Sequence, residues 1–228
     1  MCQAERMRIG ILGGTGPAGS ALGARLASIG YDVTIGSRSA ERAVDVCQEI
    51  ATKHPEIASA ITGGDNAAAA AADVVVIATP WDSAATTVQE NSVALEGKIL
   101  ISMANALVRV AGEFQPLLPP RGSVAAHIQA AAPLSKVVAA LHHLPAKELG
   151  HLGSPIDSDV LICSDDRESL RIVSEIVARI PGCRPLDAGQ LSNATAIEAF
   201  TAVLLQLNVR YKTRVAPKLT GIREEIVR

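Results

Sequence analysis

Gly14, Gly16 and Gly19 stand in the spacing G-x-G-x-x-G within Gly13-Gly14-Thr15-Gly16-Pro17-Ala18-Gly19. Such a stretch does its chemistry through the backbone. Without side chains the chain turns sharply and comes close to a pyrophosphate. The amides of the helix that follows, here from Thr15 and Ala18 onward, then point at the phosphates, and the helix dipole adds to the attraction. Glycine turns also merely end strands, so the flanks decide. An apolar run, Ile9-Gly10-Ile11-Leu12, precedes the turn, an amphipathic helix through Ala21, Leu22, Leu26 and Ile29 follows it, and a second strand begins at Tyr31. That context predicts a dinucleotide site.

A second chemical group stands where such folds meet the adenosine ribose. The strand Tyr31–Ile35 runs into Gly36-Ser37-Arg38-Ser39, with Arg42 one helical turn on. An NAD site places an acid at this strand end, whereas Arg suits a 2′-phosphate. Asp32 is at the wrong end of the strand. Two guanidinium forks and a hydroxyl make a phosphate clamp, so Ser37, Arg38 and Arg42 predict NADP. The plainer alternative is a helix capped by Ser39 and two solvated arginines; the position directly after the glycine motif favours the clamp.

These groups need a scaffold, and the rest of the chain reads as one. Ala40–Lys53 is helical, Ile61–Gly63 a short strand, and Asp65 or Asn66 caps the Ala-rich helix that follows. The run Val74-Val75-Val76-Ile77-Ala78 marks a parallel strand buried on both faces. It opens onto Thr79-Pro80-Trp81-Asp82 at the carboxyl edge, where ligands bind in open α/β sheets. Further strands are expected at Lys98–Met103, which ends at Ala104-Asn105-Ala106-Leu107, and at Lys136–Leu141, with a helix over Ser123–Ala132 between them. His142 and His143 follow. Adjacent histidines diverge and lack helical i, i+4 spacing, so no metal site is expected. Gly150–Pro155 is rich in Gly and Pro and suggests a boundary. Beyond it come a strand at Asp159–Cys163, a helix begun by Asp165-Asp166 and running to Ile180, and a strand at Cys183–Asp187. Last is a long apolar helix capped by Ser192-Asn193 and reaching about Tyr211, to be buried against the first domain or a second subunit. The expected fold is α/β: a Rossmann-like, doubly wound parallel sheet over 1–149 and a smaller C-terminal α/β portion over 150–228.

Composition narrows the classes. A chain of 228 residues with net charge −2, 48 % apolar and 2 % aromatic, has core enough for a globular protein. It lacks the basic surface and stacking rings that nucleic acid requires. Every long apolar run is broken by Asp, Gly or Pro, which excludes a membrane span. Met1-Cys2-Gln3-Ala4-Glu5-Arg6 has no signal-peptide core. Cys2, Cys47, Cys163 and Cys183 show no C-x-x-C spacing, as expected of free thiols in the cytoplasm.

From Arg8 to about Lys212 the chain resembles the NADPH-dependent reductases of coenzyme F-420, the 8-hydroxy-5-deazaflavin hydride carrier. The resemblance rests on Gly13–Gly19, Gly36-Ser37-Arg38, Thr79-Pro80-Trp81, Leu141-His142-His143-Leu144-Pro145-Ala146, Pro185-Leu186-Asp187-Ala188-Gly189 and Leu191-Ser192-Asn193. It implies NADP on Thr15, Gly16, Pro17 and Ala18, with Ser37, Arg38 and Arg42 at the 2′-phosphate. It further implies Trp81, Ala85, Asn105, Leu107 and Ala146 along the nicotinamide half. The deazaflavin would lie between the two portions, near His142, Pro145 and Asn193. Two departures stand out: Ser102-Met103-Ala104-Asn105-Ala106 lacks the family's proline, and Arg42 replaces a frequent Lys. The implied activity is hydride transfer between NADPH and F-420, needing no acid–base residue because the cofactors carry the chemistry. His142, or a backbone amide, is the expected hydrogen-bond donor at the pyrimidine end. The alternatives on the same scaffold are reduction of a flavin, ferric iron or a small carbonyl compound, or a non-catalytic NADPH sensor. The long apolar helix predicts a homodimer.

Overall fold

A computed structural model of the chain describes residues 7–222; Met1–Arg6, including Cys2, lie outside the described residues. The first half runs β1 (Arg8–Leu12), α1 (Pro17–Ser28), β2 (Asp32–Ser37), α2 (Ala40–Lys53), β3 (Ile61–Asp65), α3 (Asn66–Ala70), β4 (Val74–Ile77), α4 (Trp81–Glu90), α5 (Ser92–Leu95) and β5 (Ile99–Ser102). The second runs β6 (Leu107–Val110), β7 (Glu113–Pro116), α6 (Val124–Ala131), β8 (Lys136–Ala139), α7 (Ala146–Leu149), β9 (Ser158–Ser164), α8 (Arg167–Ala178), β10 (Cys183–Asp187) and α9 (Ala194–Tyr211).

Eight strands form one sheet in the order β10-β9-β8-β5-β4-β1-β2-β3. From β3 to β8 every neighbouring pair is parallel. The order reverses between β1 and β4, which opens a crevice at the carboxyl ends of these two strands. Alternation along the strands serves both faces of the sheet. Ile9, Ile11, Val74 and Val76 join one core cluster, while Leu12, Val75 and Ile77 join the other. A Rossmann-like sheet is what the sequence predicts. The chain after residue 150 does not make a sheet of its own, however: β9 pairs antiparallel with β8, and β10 runs parallel to β9. Between β8 and β9 the strand direction changes within one sheet.

α1 is anchored by Arg25, whose side chain is buried. Its guanidinium donates to the carbonyls of Glu148, Leu149, His151, Leu152 and Ser154 at 2.7–3.3 Å. One charged side chain therefore gathers the carbonyls at the end of α7 and in the following loop, two of which, Glu148 O and His151 O, also accept from backbone amides.

α9 packs against the β6–β7 hairpin and α6. His143 Nε2 donates to Ile197 O at 2.8 Å, and Phe200 meets the His143 ring edge-on. One expectation changes here. Asn193 occupies the cap position but makes no side-chain cap; its amide donates to Ala188 O at 2.6 Å instead. Phe200, Val203, Val209 and Tyr211 of the helix are exposed in the single chain.

Candidate nucleotide site and adjoining polar cluster

A cavity of about 490 Å³ opens at the carboxyl edge, over the switch between β1 and β4. Its floor is the turn between β1 and α1, where the glycines have different duties. Gly13 takes the left-handed conformation, φ 68°, and donates its amide to Asn66 Oδ1 at 3.1 Å. Gly14 donates to Gly36 O at 2.8 Å, and a Cβ on Gly19 would fall 2.7 Å from Gly14 Cα. Gly14 and Gly19 are therefore glycines because the protein packs against itself there. Gly16 differs: a Cβ there would meet nothing within 4 Å. The space beside it belongs to the cavity. Gly16 also precedes α1, which has no side-chain cap and no acid in its first turn, so its end amides remain available to an anion.

The ribose end of the cavity holds Ser37, Arg38 and Arg42 together. Ser37 closes β2 and is buried; its Oγ accepts from Ser39 N at 3.3 Å, which leaves its hydroxyl proton to donate. Ser39 caps α2 by accepting from Arg42 N at 3.3 Å, and this sets the turn that places Arg42 with Arg38 on the cavity lining. Both arginines are exposed, and neither has a carboxylate partner among the described residues. The nearest acid at a strand end, Asp65, is committed to the cap of α3 through Ala68 N at 2.7 Å.

The other end is walled by Thr79, Pro80, Ser83 and Thr87, and by Met103 and Ala104 after β5. Thr79 Oγ1 and the nearby Ser102 Oγ are buried without a hydrogen-bond partner. An orphaned polar atom on a cavity wall awaits a ligand or a water. Asn66, Thr79, Ser83, Thr87, Met103 and Ala104 were not among the site residues expected from sequence, although Thr79 and Ala104 were placed at the carboxyl edge. Their signal was position alone: all but Ser83 and Thr87 follow the carboxyl end of a strand.

Of the residues named from sequence, the cavity gathers Thr15, Gly16, Pro17, Ala18, Gly19, Ser37, Arg38 and Arg42, while Gly14 is buried beneath the turn. The others lie outside its lining. Trp81 begins α4 half-buried against the core, with Ala85 one turn further along. Leu107 opens the β6–β7 hairpin, and Pro145 precedes α7. Ala146 borders a separate surface cavity with Lys53 and Lys147. Asn193 stays exposed at the head of α9.

Asn105 and His142 form a second polar cluster behind Met103 and Ala104, together with Thr201 of α9. His142 Nδ1 lies 3.1 Å from Asn105 Oδ1, Thr201 Oγ1 donates to the same oxygen at 3.0 Å, and Asn105 Nδ2 donates to His142 O at 3.2 Å. Leu141, immediately before, is held at φ 68°, a strained value for a branched residue. Burial pushes the His142 imidazole down to about 3, and His143 pushes the same way; the backbone of Ala104 and Met103 opposes them. The ring is neutral at physiological pH.

Comparison with known proteins gives a consistent picture. Residues 8–106 match the family described as NADP oxidoreductase, coenzyme F-420-dependent. The F-420-dependent NADP reductase of Methanocaldococcus jannaschii is 36 % identical over 222 residues, 95 % of this chain and 97 % of that protein. The protein of the same name from Methanothermobacter marburgensis is 34 % identical over 226 residues, with 95 % and 97 % covered. Among solved structures, a candidate F-420-dependent NADP reductase from Arthrobacter sp. FB24 superposes with a TM-score of 0.77 at 27 % identity, over 92 % of this chain and all of the other.

Proposed function

The chain belongs to the coenzyme F-420-dependent NADP oxidoreductase family, and we propose that it positions NADPH and F-420 for direct hydride transfer along one cavity edge. It is an NADPH-dependent F-420 reductase: NADPH, oxidised F-420 and a proton give NADP⁺ and reduced F-420. The observation that carries this reading is identity to named reductases over nearly the full chain. When bound, the dihydronicotinamide supplies the hydride and the deazaflavin ring accepts it.

The chain's own residues fit such ligands. The open space at Gly16 and the uncapped start of α1 suit a pyrophosphate. Ser37, Arg38 and Arg42 suit a 2′-phosphate through charge-assisted hydrogen bonds. Thr79, Met103 and Ala104 continue the same cavity toward the nicotinamide, and the orphaned Thr79 hydroxyl is a candidate partner for its carboxamide. Ala146, bordering a different cavity, is a weaker candidate. No side chain is assigned as acid or base. The neutral His142 supports a site that works by placement and exclusion of water, in which oriented reactants account for ~7 kcal/mol or more of the barrier in favourable cases.

The same reading extends to assembly and setting. Phe200, Val203 and Tyr211 expose apolar surface along α9, which supports a homodimer packed through that helix. The buried free thiols Cys47, Cys163 and Cys183 support a reducing, cytoplasmic setting. No helix among the described residues is long and apolar enough to cross a membrane.

Mixing the protein with NADPH and oxidised F-420 tests the activity through the deazaflavin's visible absorbance. Rapid bleaching with NADPH and little with NADH is expected. Bound NADPH without bleaching would remove F-420 as the acceptor.

A further inference from the structure

Asn66 lines the nucleotide cavity, yet neither the glycine turn nor the arginine pair accounts for it. It opens α3 directly after β3, where Asp65 already supplies the cap, which leaves the Asn66 side chain for another task. That side chain crosses the carboxyl edge of the sheet. A Cβ on Gly36 of β2 would stand 3.0 Å from Asn66 Oδ1, and the same oxygen accepts from Gly13 N, beyond β1, at 3.1 Å. Gly36 thus leaves the gap through which the amide passes. An Asn amide can be turned two ways, but a backbone N–H needs an acceptor, so Gly13 fixes the orientation of this one. Nδ2, with two protons to donate, is then the outward group. It has no hydrogen-bond partner among the described residues. Nor is it one of the buried atoms so left, which are Thr79 Oγ1, Ser102 Oγ and His142 Nε2. Its open side is the nucleotide cavity, close to Ser37, whose partner in register on β3 is Asp65.

Between the glycine turn and the end of β2, an NAD site of this fold holds an acid against the adenosine ribose. A carboxylate there accepts from a ribose hydroxyl and repels a phosphate. An amide oriented as Asn66 is presents N–H groups, which suit a phosphate oxygen and a ribose oxygen alike. We infer that Asn66 is a specificity-determining residue whose Nδ2 donates to an oxygen of the 2′-phosphorylated adenosine ribose, while the Gly13 amide holds its other end. This rests on the reading of the cavity as an NADP site, and it adds a neutral donor to the two guanidinium groups of Arg38 and Arg42.

Asn66→Asp separates this role from a purely structural one. The carboxylate keeps an oxygen for Gly13 N, and the first turn of a helix accepts an acid, so the glycine turn and the fold are retained. Calorimetry on the full chain, without F-420, reads the binding of NADP⁺, NAD⁺ and adenosine 2′,5′-bisphosphate. NADP⁺ and the bisphosphate are expected to weaken by about tenfold or more, the effect of one lost charge-assisted hydrogen bond. NAD⁺ should bind within about threefold of the wild type, because a ribose with both hydroxyls tolerates an acid. Unchanged affinities, or equal losses for NADP⁺ and NAD⁺, would overturn the inference and leave Asn66 as a support for the Gly13 turn. A loss for NADP⁺ that the bisphosphate does not share would also overturn it, by moving the contact away from the ribose. A wild-type protein that binds neither NADP⁺ nor the bisphosphate would instead defeat the reading of the cavity, so the two failures are distinguishable.

Discussion

The Glu198 carboxylate on α9 accepts from the backbone amides of Val124 at 2.8 Å and Ala125 at 3.0 Å, closing the start of α6. Ser123 Oγ takes the next amide, Ala126 N, at 3.0 Å. Three of the four unpartnered donors of α6 are thus satisfied, two of them by a residue more than seventy positions away. Burial nevertheless dominates, pushing Glu198 up to about 7 while the two amides pull the other way.

That shift gives stability a pH dependence. A carboxyl near 7 in the folded protein and about 4.3 unfolded holds a proton in the native state that the unfolded chain has already lost. Glu198 therefore favours folding most at acid pH, progressively less as pH rises from about 4.3 through 7, and evenly above that. Denaturant titrations of the wild type at pH 5 and pH 8 should differ by up to roughly 3 kcal/mol from this group. In Glu198→Gln, that part of the slope should vanish. An equal slope in both proteins would assign the pH dependence elsewhere.

The glycine turn separates fold from ligand. Gly19→Ala places a methyl group 2.7 Å from Gly14 Cα and should cost about 1–3 kcal/mol of stability. Gly16→Ala meets nothing within 4 Å and should leave stability within about 0.5 kcal/mol. Its methyl occupies the cavity, so NADPH affinity should fall at least about tenfold. Calorimetry of binding beside thermal unfolding distinguishes the two glycines.

Cofactor choice should reside in Ser37, Arg38 and Arg42. The double variant Arg38→Ala, Arg42→Ala is expected to weaken NADPH by about tenfold or more per arginine, given roughly 1.5–3 kcal/mol for a charge-assisted hydrogen bond. NADH, lacking the 2′-phosphate, should bind as before. Equal losses for both nucleotides would place the discrimination elsewhere.

Arg25 should matter to stability out of proportion to its single charge. Arg25→Met keeps length and apolar contact but removes the donor from the carbonyls of Leu149, Leu152 and Ser154, while Glu148 O and His151 O keep the amides of His151 and Ser154. A loss of about 3–5 kcal/mol is expected in urea unfolding. A loss below about 1 kcal/mol would mean that water replaces the guanidinium.

The local half of the structure was legible in the residues. Strand–turn–helix order, the caps by Ser39, Asp65 and Asp166, and the buried run Val74–Ile77 are all short-range signals, and all are present in the structure. The β6–β7 hairpin escaped notice because its turn, Ala111-Gly112, holds an alanine at φ 50°, where Asn or Gly would be the usual mark. α4 escaped because Asp82, Ser83, Thr86 and Thr87 give its first turns no clear apolar stripe. The antiparallel docking of β9 on β8 is a long-range pairing, while Gly150–Pro155 reads locally as a linker. The nucleotide cavity was foreseen at its phosphate end, where spacing carries the chemistry. Its far end was foreseen only as two strand ends, at Thr79 and Ala104; that Asn66 and Met103 join them in one lining depends on adjacent strand ends. The convergence of Asn105, His142 and Thr201 depends wholly on tertiary contact.

That convergence has a consequence for how the protein is made. Every residue lining the nucleotide cavity lies between positions 13 and 104, whereas Thr201 follows Asn105 by 96 residues. During translation the lining of the dinucleotide cavity leaves the ribosome first. Thr201, which completes the Asn105–His142 cluster, arrives only with α9. A nascent chain thus holds every residue that lines the nucleotide cavity well before it can close the Asn105–His142–Thr201 cluster, and α9 is the piece that closes it.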